Sequence, residues 1–278
     1  MLSELSKKYP SLKILKKFPE SGQKYVYLVS IDEFGTLMLK IIKKMDERIQ
    51  REIDIVNNND IPGVPKIKEF SSFSFNGEDC FYLLEDYIEG KTLTELIKTG
   101  PMALPNALSL FEYLLTAVEK LEELKIVHRD IKPDNIICAE DDSFHLIDFG
   151  IARNLNLSSL TLTVAAVGPH TPGYGAPELF QYNKFKIDSR ADLFSVGVVM
   201  YEAIMGKHPF ITGDEVDLNE IWYHTATVTP KDCLIPGDQD RQLMGLIQTL
   251  MQKPVSKRPP DAKRALQWFK LVLDTISI

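Results

Sequence analysis

The sequence HRDIKPDN occupies residues 128–135 and is the stretch that indicates the fold most strongly. It places Asp130, Lys132 and Asn135 on one short segment that follows a long helical pattern. Two short apolar runs come next, separated by AEDDS, and they predict a hairpin that leads into the triplet DFG at residues 148–150. Carboxylate and amide oxygens are the hard ligands that Mg²⁺ prefers. The segment therefore combines an acid, a lysine and two candidate metal ligands.

The hydrophobic pattern divides the chain into a β-rich part and a helical part. Up to about residue 87, alternating runs at 24–31 and 36–42 are broken by glycine, asparagine and proline, which predicts strands and hairpins. One helix is predicted within this part, at roughly 46–58. Apolar residues recur at helical spacing from Thr92 onward and predict helices at 104–124, 189–205, 241–251 and 261–275. The sequence thus predicts an α+β chain with a small β-rich part followed by a larger helical one.

The composition narrows the classes of function. The chain has 278 residues, of which 44% are hydrophobic and 26% charged, as in an ordinary folded protein. A net charge of −7 argues against a partner that is nucleic acid or a membrane surface. Cys80, Cys138 and Cys233 match no metal or disulfide spacing, and no stretch has the ~20 apolar residues of a membrane span. A cytoplasmic protein is therefore predicted.

The motifs in their order resemble the protein kinase family. HRDIKPDN and DFG are followed by TPGYGAPE at residues 171–178, and the resemblance extends over about residues 12–272. It implies a bilobal kinase fold, with an N-lobe of about 1–87, a hinge at about 85–90 and a C-lobe of about 91–278. It also implies that ATP and Mg²⁺ serve to phosphorylate a protein hydroxyl. Lys132 resembles the serine/threonine branch, and the compact small lobe resembles bacterial members.

The resemblance assigns a chemical role to four of these residues. Asp130 is expected to meet the incoming hydroxyl, and Lys132 is expected to contact the transferred phosphate. Asn135 and Asp148 are assigned to the metal. These roles agree with the chemistry, because phosphoryl transfer requires positioned oxygens and neutralised charge rather than covalent help from the protein.

Other motif residues are expected to be structural. Glu178 and Arg258 resemble a buried ion pair that braces the helical lobe, and Asp192 resembles an acid that holds the catalytic loop from beneath. His128 is expected to pack under that loop. Thr171 resembles a threonine that bonds the loop.

The resemblance implies a nucleotide site in the small lobe. Lys40, at the end of an alternating strand, resembles the lysine that anchors ATP, and Glu52 on the next helix resembles its partner; Lys43 is a nearby alternative. The remaining nucleotide contacts are expected from Val26, Met38, Asp86, Ile88 and Ile137.

Three features depart from the family pattern. The phosphate-covering loop has Pro19, Ser21 and Lys24 at its three glycine positions, so the close backbone approach that glycine permits is lost. Met38 stands where the family usually has alanine. An alignment without a gap puts Glu85 at the position behind the adenine, whereas a one-residue insertion puts Leu84 there. Both alignments remain open from the sequence.

Three functions are compared. An active serine/threonine kinase is favoured, because Lys40, Asp130, Lys132, Asn135 and Asp148 are all present. The altered loop, Met38 and Glu85 favour a pseudokinase that binds nucleotide or acts as a scaffold. A small-molecule kinase fits less well, because the APE segment is typical of protein kinases.

Partners and modification are also predicted. A regulatory protein partner, or a transient homodimer for autophosphorylation, is considered. Phosphate is expected on Thr161 or Thr163, with Thr171 unmodified.

Overall fold

The computed structural model describes residues 1–19, 24–43, 47–149, 153–154, 171–180, 187–215 and 217–277. These residues form two compact units, Met1–Glu89 and Gly90–Ile278. Ser21 of the altered glycine loop lies outside the described residues, as do the candidate phosphorylation sites Thr161 and Thr163. The first unit is β-rich and the second mainly helical, so the predicted α+β class is confirmed.

The first unit is built on a five-stranded antiparallel sheet in the order β1-β2-β3-β5-β4. Its elements are α1 (Leu2–Lys8), β1 (Lys13–Lys17), β2 (Lys24–Ile31), β3 (Gly35–Ile42), α2 (Glu47–Asn58), β4 (Ile67–Phe75) and β5 (Glu78–Asp86). Asn76 and Gly77 connect β4 to β5 with φ values of 53° and 79°. Asn-Gly suits such a two-residue hairpin, because both positions need a positive φ.

The two faces of this sheet carry different residues, because side chains alternate along each strand. One face packs under α1, which contributes Leu5 to a core with Val29, Leu39 and Leu84. On the other face Leu83 packs with Ile42 of β3 and Ile53 of α2. Lys40 pairs with Leu83 across β3 and β5 and therefore lies on this second face.

The second unit surrounds helix α5. Its elements are β6 (Gly90–Thr92), α3 (Leu93–Ile97), α4 (Leu104–Glu123), β7 (Ile126–Val127), β8 (Ile136–Ala139), β9 (Phe144–Leu146), β10 (Arg153–Asn154), α5 (Ser189–Met205), α6 (Leu218–Thr227), α7 (Gln242–Leu250) and α8 (Ala262–Leu273). Helix α5 is buried around almost its whole circumference and packs against α4, α7 and α8.

Local signals explain the ends and the packing of α5. Asp188 caps its first turn by accepting a hydrogen bond from the backbone N–H of Arg190, and Gly206 ends the helix at φ 64°. A Cβ at Gly197 would come within 2.9 Å of Leu250 and Met251, so glycine permits the close approach to α7.

The predicted long elements are confirmed to within a few residues, but several other elements were not predicted, among them helices α1, α3 and α6 and strand β1. Helix α1 and strand β1 precede the first strand that the sequence indicated. Among the described residues, no helix has the length and apolar content to cross a bilayer.

Candidate active site

The segment between β7 and β8 brings three predicted catalytic residues together. The carboxylate of Asp130 accepts a hydrogen bond from the Asn135 side-chain amide at 2.9 Å and pairs with Lys132 Nζ at 2.9 Å. Its other oxygen accepts a hydrogen bond from the hydroxyl of Thr171 at 2.9 Å. Lys132 Nζ in turn donates to the Thr171 hydroxyl oxygen at 2.6 Å. Thr171 therefore bonds the loop, as the sequence predicted.

Asn135 is held in one orientation. Its Nδ2 atom donates to both the backbone carbonyl and the carboxylate of Asp130, each at 2.9 Å. The side chain is buried, and its backbone carbonyl accepts the N–H of Ile147 at 2.9 Å. With Nδ2 committed to Asp130, the side-chain oxygen Oδ1 is left for a further ligand.

The shape of the loop is fixed from below by α5. Asp192, fully buried, accepts the backbone N–H groups of His128 and Arg129 at 2.8 Å each. Burial raises the pKa of Asp192 to about 7, whereas the two backbone hydrogen bonds lower it. Because Arg129 sits at φ 68°, an uncommon conformation for a residue other than glycine, these bonds also hold the loop against backbone strain.

His128 is a structural histidine. Its ring is fully buried and meets the ring of Phe149 edge-on, with the centroids 4.6 Å apart. Burial lowers the pKa of His128 to about 4, although the carboxylates of Asp130 and Asp148 oppose this shift. The neutral ring accepts the N–H of Asp130 at Nδ1, at 3.2 Å. It therefore positions the loop without carrying charge.

The residues assigned to Mg²⁺ fit a magnesium site. Asn135 offers its side-chain oxygen, and Asp148 offers an exposed carboxylate just after β9, at φ 65°. The described residues contain no group of three or more His, Cys, Asp and Glu side chains that could hold a metal by themselves. Mg²⁺ is commonly held by one or two protein oxygens together with substrate phosphates and water, so two ligands suffice.

The ion pair that braces the helical unit is confirmed. Arg258 Nη1 and Nη2 lie 2.6 and 2.9 Å from the two carboxylate oxygens of Glu178. The guanidinium is buried and also donates to the backbone carbonyls of Arg190, Gln252 and Lys253. A buried charge with all its donors engaged is stable, whereas removal of either partner leaves an unpaired charge.

In the first unit, Lys40 Nζ lies 2.7 Å from Glu85 Oε1. Val26 and Met38 lie on the same face of the sheet, because Val26 pairs with Lys40 and Met38 pairs with Glu85. Leu84 points to the opposite face and is fully buried in the core under α1. Of the two alternatives left open by the sequence, Glu85 is thus the residue on the face of Lys40. The side chain of Glu52 lies outside the described residues, although α2 includes its backbone.

The other residues predicted to contact the nucleotide are Asp86, Ile88 and Ile137. The side chain of Asp86 pairs with Lys68 at 2.9 Å, and its N–H donates to the carbonyl of Lys66. Ile88 follows β5 and is half-buried, and Ile137 lies on β8 in the second unit.

Comparison with known families identifies the chain. The model described as "Protein kinase domain" matches residues 36–269. The chain belongs to the protein kinase family. The family resemblance inferred from the sequence motifs is thereby confirmed. The matched range contains Lys40, the catalytic loop and Arg258.

Several similar proteins are serine/threonine-protein kinases by name. The chain is 30% identical to pkn2 of Myxococcus xanthus, over 90% of this chain and 31% of that protein. It is 33% identical to the probable kinase PknB of Bifidobacterium longum, over 68% of this chain and 28% of that protein. It is 28% identical to cds1 of Schizosaccharomyces pombe, over 91% of this chain and 54% of that protein. The kinase domain thus spans 28–54% of the length of these relatives.

Sequence reasoning missed two contacts of this kinase domain. It named Glu85 only as one of two candidates for the position behind the adenine, and it did not predict that Lys40 lies beside this carboxylate. It also missed that Asp134 of the catalytic loop is held by the hydroxyl of Thr94 at 2.7 Å. The alternation of residues on β3 and β5 could have suggested the first contact. No sequence signal indicated the second, because 40 residues separate its partners.

Proposed function

We propose that this chain is an ATP-dependent serine/threonine protein kinase. The observation that carries the proposal is the network in which Asn135, Lys132 and Thr171 all bond the carboxylate of Asp130. A carboxylate with three fixed neighbours presents its oxygens in one orientation. Such positioning is what a catalytic base needs in order to meet a hydroxyl.

Each residue of the network has a distinct chemical role. Asp130 orients the substrate hydroxyl and accepts its proton. Lys132, 2.9 Å from Asp130, places a positive charge near the oxygens of the transferred phosphate, over which negative charge is spread in the transition state. Thr171 fixes the relative position of these two side chains. When bound, Mg²⁺ neutralises phosphate oxygens, and Asn135 and Asp148 are the residues that would hold it.

The residues that the sequence assigns to the nucleotide are kept as part of the proposal. Lys40 would contact the phosphates, with Glu52 as a partner of its ammonium. The base and sugar would be contacted by Val26, Met38, Asp86, Ile88 and Ile137. The sheet face shared by Val26, Met38 and Lys40 supports this assignment for three of them.

Catalysis is favoured over the pseudokinase alternative by the same network. A scaffold needs a stable fold, and the buried pair of Glu178 and Arg258 already braces the helical unit. The charges of Asp130 and Lys132 have no part in that brace, and a scaffold has no need of an acid and a lysine held together on this loop.

The remaining parts of the proposal concern the setting of the reaction. The substrate is a protein, and autophosphorylation at Thr161 or Thr163 would occur in a transient homodimer. A regulatory protein partner is the alternative. The proposed location is the cytoplasm, because ATP and Mg²⁺ are both available there.

The test is phosphate transfer from labelled ATP to a general protein substrate in the presence of Mg²⁺. Asp130→Asn should lower the rate by about 10²–10⁴-fold, because the acceptor of the hydroxyl proton is lost. Asp142→Asn makes the same chemical change in an exposed turn at φ 64°, a conformation that asparagine tolerates, and should keep full activity. Equal rates for the two variants, both folded, would show that Asp130 is not the catalytic base.

A further inference from the structure

The ion pair between Lys40 and Glu85 lies within the sheet of the first unit. The 2.7 Å pair is largely shielded from water, with 17% of the Lys40 side chain and 16% of the Glu85 side chain exposed. On β5, Glu85 is two residues beyond Leu83, the cross-strand partner of Lys40. The two residues are therefore diagonal neighbours on one face, a spacing that long side chains can bridge.

Both partners stand on rigid backbone. Strand β3 is hydrogen-bonded to β2 on one side and to β5 on the other, and β5 is itself flanked by β4. A lysine ammonium ends a flexible four-carbon stem, so its position depends on the groups that bind it. A carboxylate fixed on the neighbouring strand restricts that position without involving helix α2.

We propose that Glu85 is a positioning residue for Lys40, which holds the ammonium on the face shared by Val26 and Met38. This inference rests on the proposed assignment of Lys40 to the nucleotide phosphates. Glu85 then shares with Glu52 the task of orienting the lysine, one acting from the sheet and the other from α2. Loss of one carboxylate then leaves the other to orient Lys40.

A role in stability alone does not account for this pair. Well-packed apolar residues generally stabilise a partly buried position at least as well as an ion pair does. The neighbours Leu83 and Leu84 on β5 are both buried and apolar, so the strand readily accommodates such residues. A carboxylate at residue 85 is explained by what it does for Lys40.

The experiment compares Glu85→Gln, Glu85→Met, Glu52→Gln, the double variant Glu52→Gln/Glu85→Met and Lys40→Met. Measured quantities are kcat, KM for ATP and the midpoint of thermal unfolding. Glu85→Met should lower kcat about tenfold, the equivalent of ~1.4 kcal/mol. Glu85→Gln should retain most of the activity, because its amide oxygen still accepts a hydrogen bond from Lys40. The double variant should be as inactive as Lys40→Met. Its loss of kcat should exceed the product of the losses in the two single variants.

Glu78→Gln at the exposed start of β5 is the matched control and should behave as wild type. Wild-type or higher kcat in Glu85→Met would overturn the positioning role. An equal loss in Glu85→Gln and Glu85→Met that follows a lower unfolding midpoint would also overturn it. Full activity of Lys40→Met would refute the assignment of Lys40 itself. An inactive Lys40→Met beside a fully active Glu85→Met would refute only the role of Glu85.

Discussion

Single side chains that bond two backbone groups shape the loops of the second unit. Asp192 does so for the catalytic loop, and His208 does so after α5, where its Nδ1 accepts the N–H groups of Phe210 and Ile211 at 3.0 Å each. The ring of His208 also meets Tyr174 edge-on at 4.8 Å. A Cβ on Gly173 would come within 2.8 Å of that ring, so glycine permits the segment after Thr171 to pass directly over it.

The first prediction at this scale concerns pH. Burial lowers the pKa of His208 to about 3, with the carboxylate of Glu215 opposing the shift. As pH falls, the unfolded chain binds the proton first, near the ordinary value of 6.5, so stability is lost between about pH 6.5 and pH 3. His208→Asn keeps an acceptor for the two N–H groups but does not titrate.

The measurement is urea unfolding followed by tryptophan fluorescence, since Trp222 and Trp268 both lie in the second unit. Between pH 7.5 and 5, wild type should lose about 2 kcal/mol more of its free energy of unfolding than His208→Asn does. The same pH dependence in both proteins would mean that the pKa of His208 is the same in the folded and unfolded states, which would contradict the prediction.

At the scale of elements, helix α1 covers one face of the first sheet. Leu5 and Tyr9 are buried there. At the rim, the hydroxyl oxygens of Tyr9 and Tyr82 lie 3.1 Å apart. Both hydroxyls and the ammonium of Lys8 donate hydrogen bonds to the carboxylate of Glu69. Burial opposes the charge of Glu69, but these hydrogen bonds hold its pKa below the ordinary value. Helix α1 is therefore held on the sheet by apolar packing and by the hydrogen bonds at its rim.

This arrangement predicts that α1 is part of the folded first unit. Leu5→Ala should lower the free energy of unfolding by about 2–5 kcal/mol, because it leaves a cavity beneath the helix. Leu15→Ala removes the same atoms from a side chain that is 54% exposed on β1 and should change stability by less than about 0.5 kcal/mol. Denaturant unfolding followed by circular dichroism measures both. Equal effects would show that α1 does not pack on the sheet as described.

For the whole molecule, the residues proposed for the reaction are divided between two units. Lys40 and Met38 belong to the first, and Asp130, Asn135 and Asp148 belong to the second. The loop near the first strands lacks the glycines at positions 19, 21 and 24, and each lost hydrogen bond to a charged group weakens binding by about 1.5–3 kcal/mol. We therefore expect more of the nucleotide anchoring to depend on Asn135 and Asp148, the residues proposed to hold the metal.

The resulting prediction is weak ATP binding with a strong dependence on Mg²⁺. Calorimetry should give an affinity at least about tenfold higher with Mg²⁺ than without it. Asp148→Asn should remove most of this difference, whereas Asp142→Asn should preserve it. Met38→Ala should tighten binding, because it relieves crowding of the base. Tight binding without Mg²⁺ in every variant would contradict the prediction.

The sequence by itself determined the fold class, most long elements and the identity of the catalytic loop. Helix α5 begins and ends at the predicted residues because its caps and its apolar run are local signals. The pair of Glu178 with Arg258, and a bond from Thr171 to the catalytic loop, were predicted from the family's motifs. In the structure 80 residues separate Glu178 from Arg258, and 41 residues separate Thr171 from its partner Asp130. The local sequence pattern alone could not have predicted contacts between residues so far apart in the chain.

Only the tertiary structure decided between Glu85 and Leu84. A shift of one residue along a strand moves every side chain to the opposite face, and the sequence alone did not fix the register of β5 against β3. Helix α1 was missed for a related reason, since a helix of 7 residues has little stability of its own and forms here by packing on the sheet. Both features depend on contacts between segments far apart in the chain, which a local pattern does not contain.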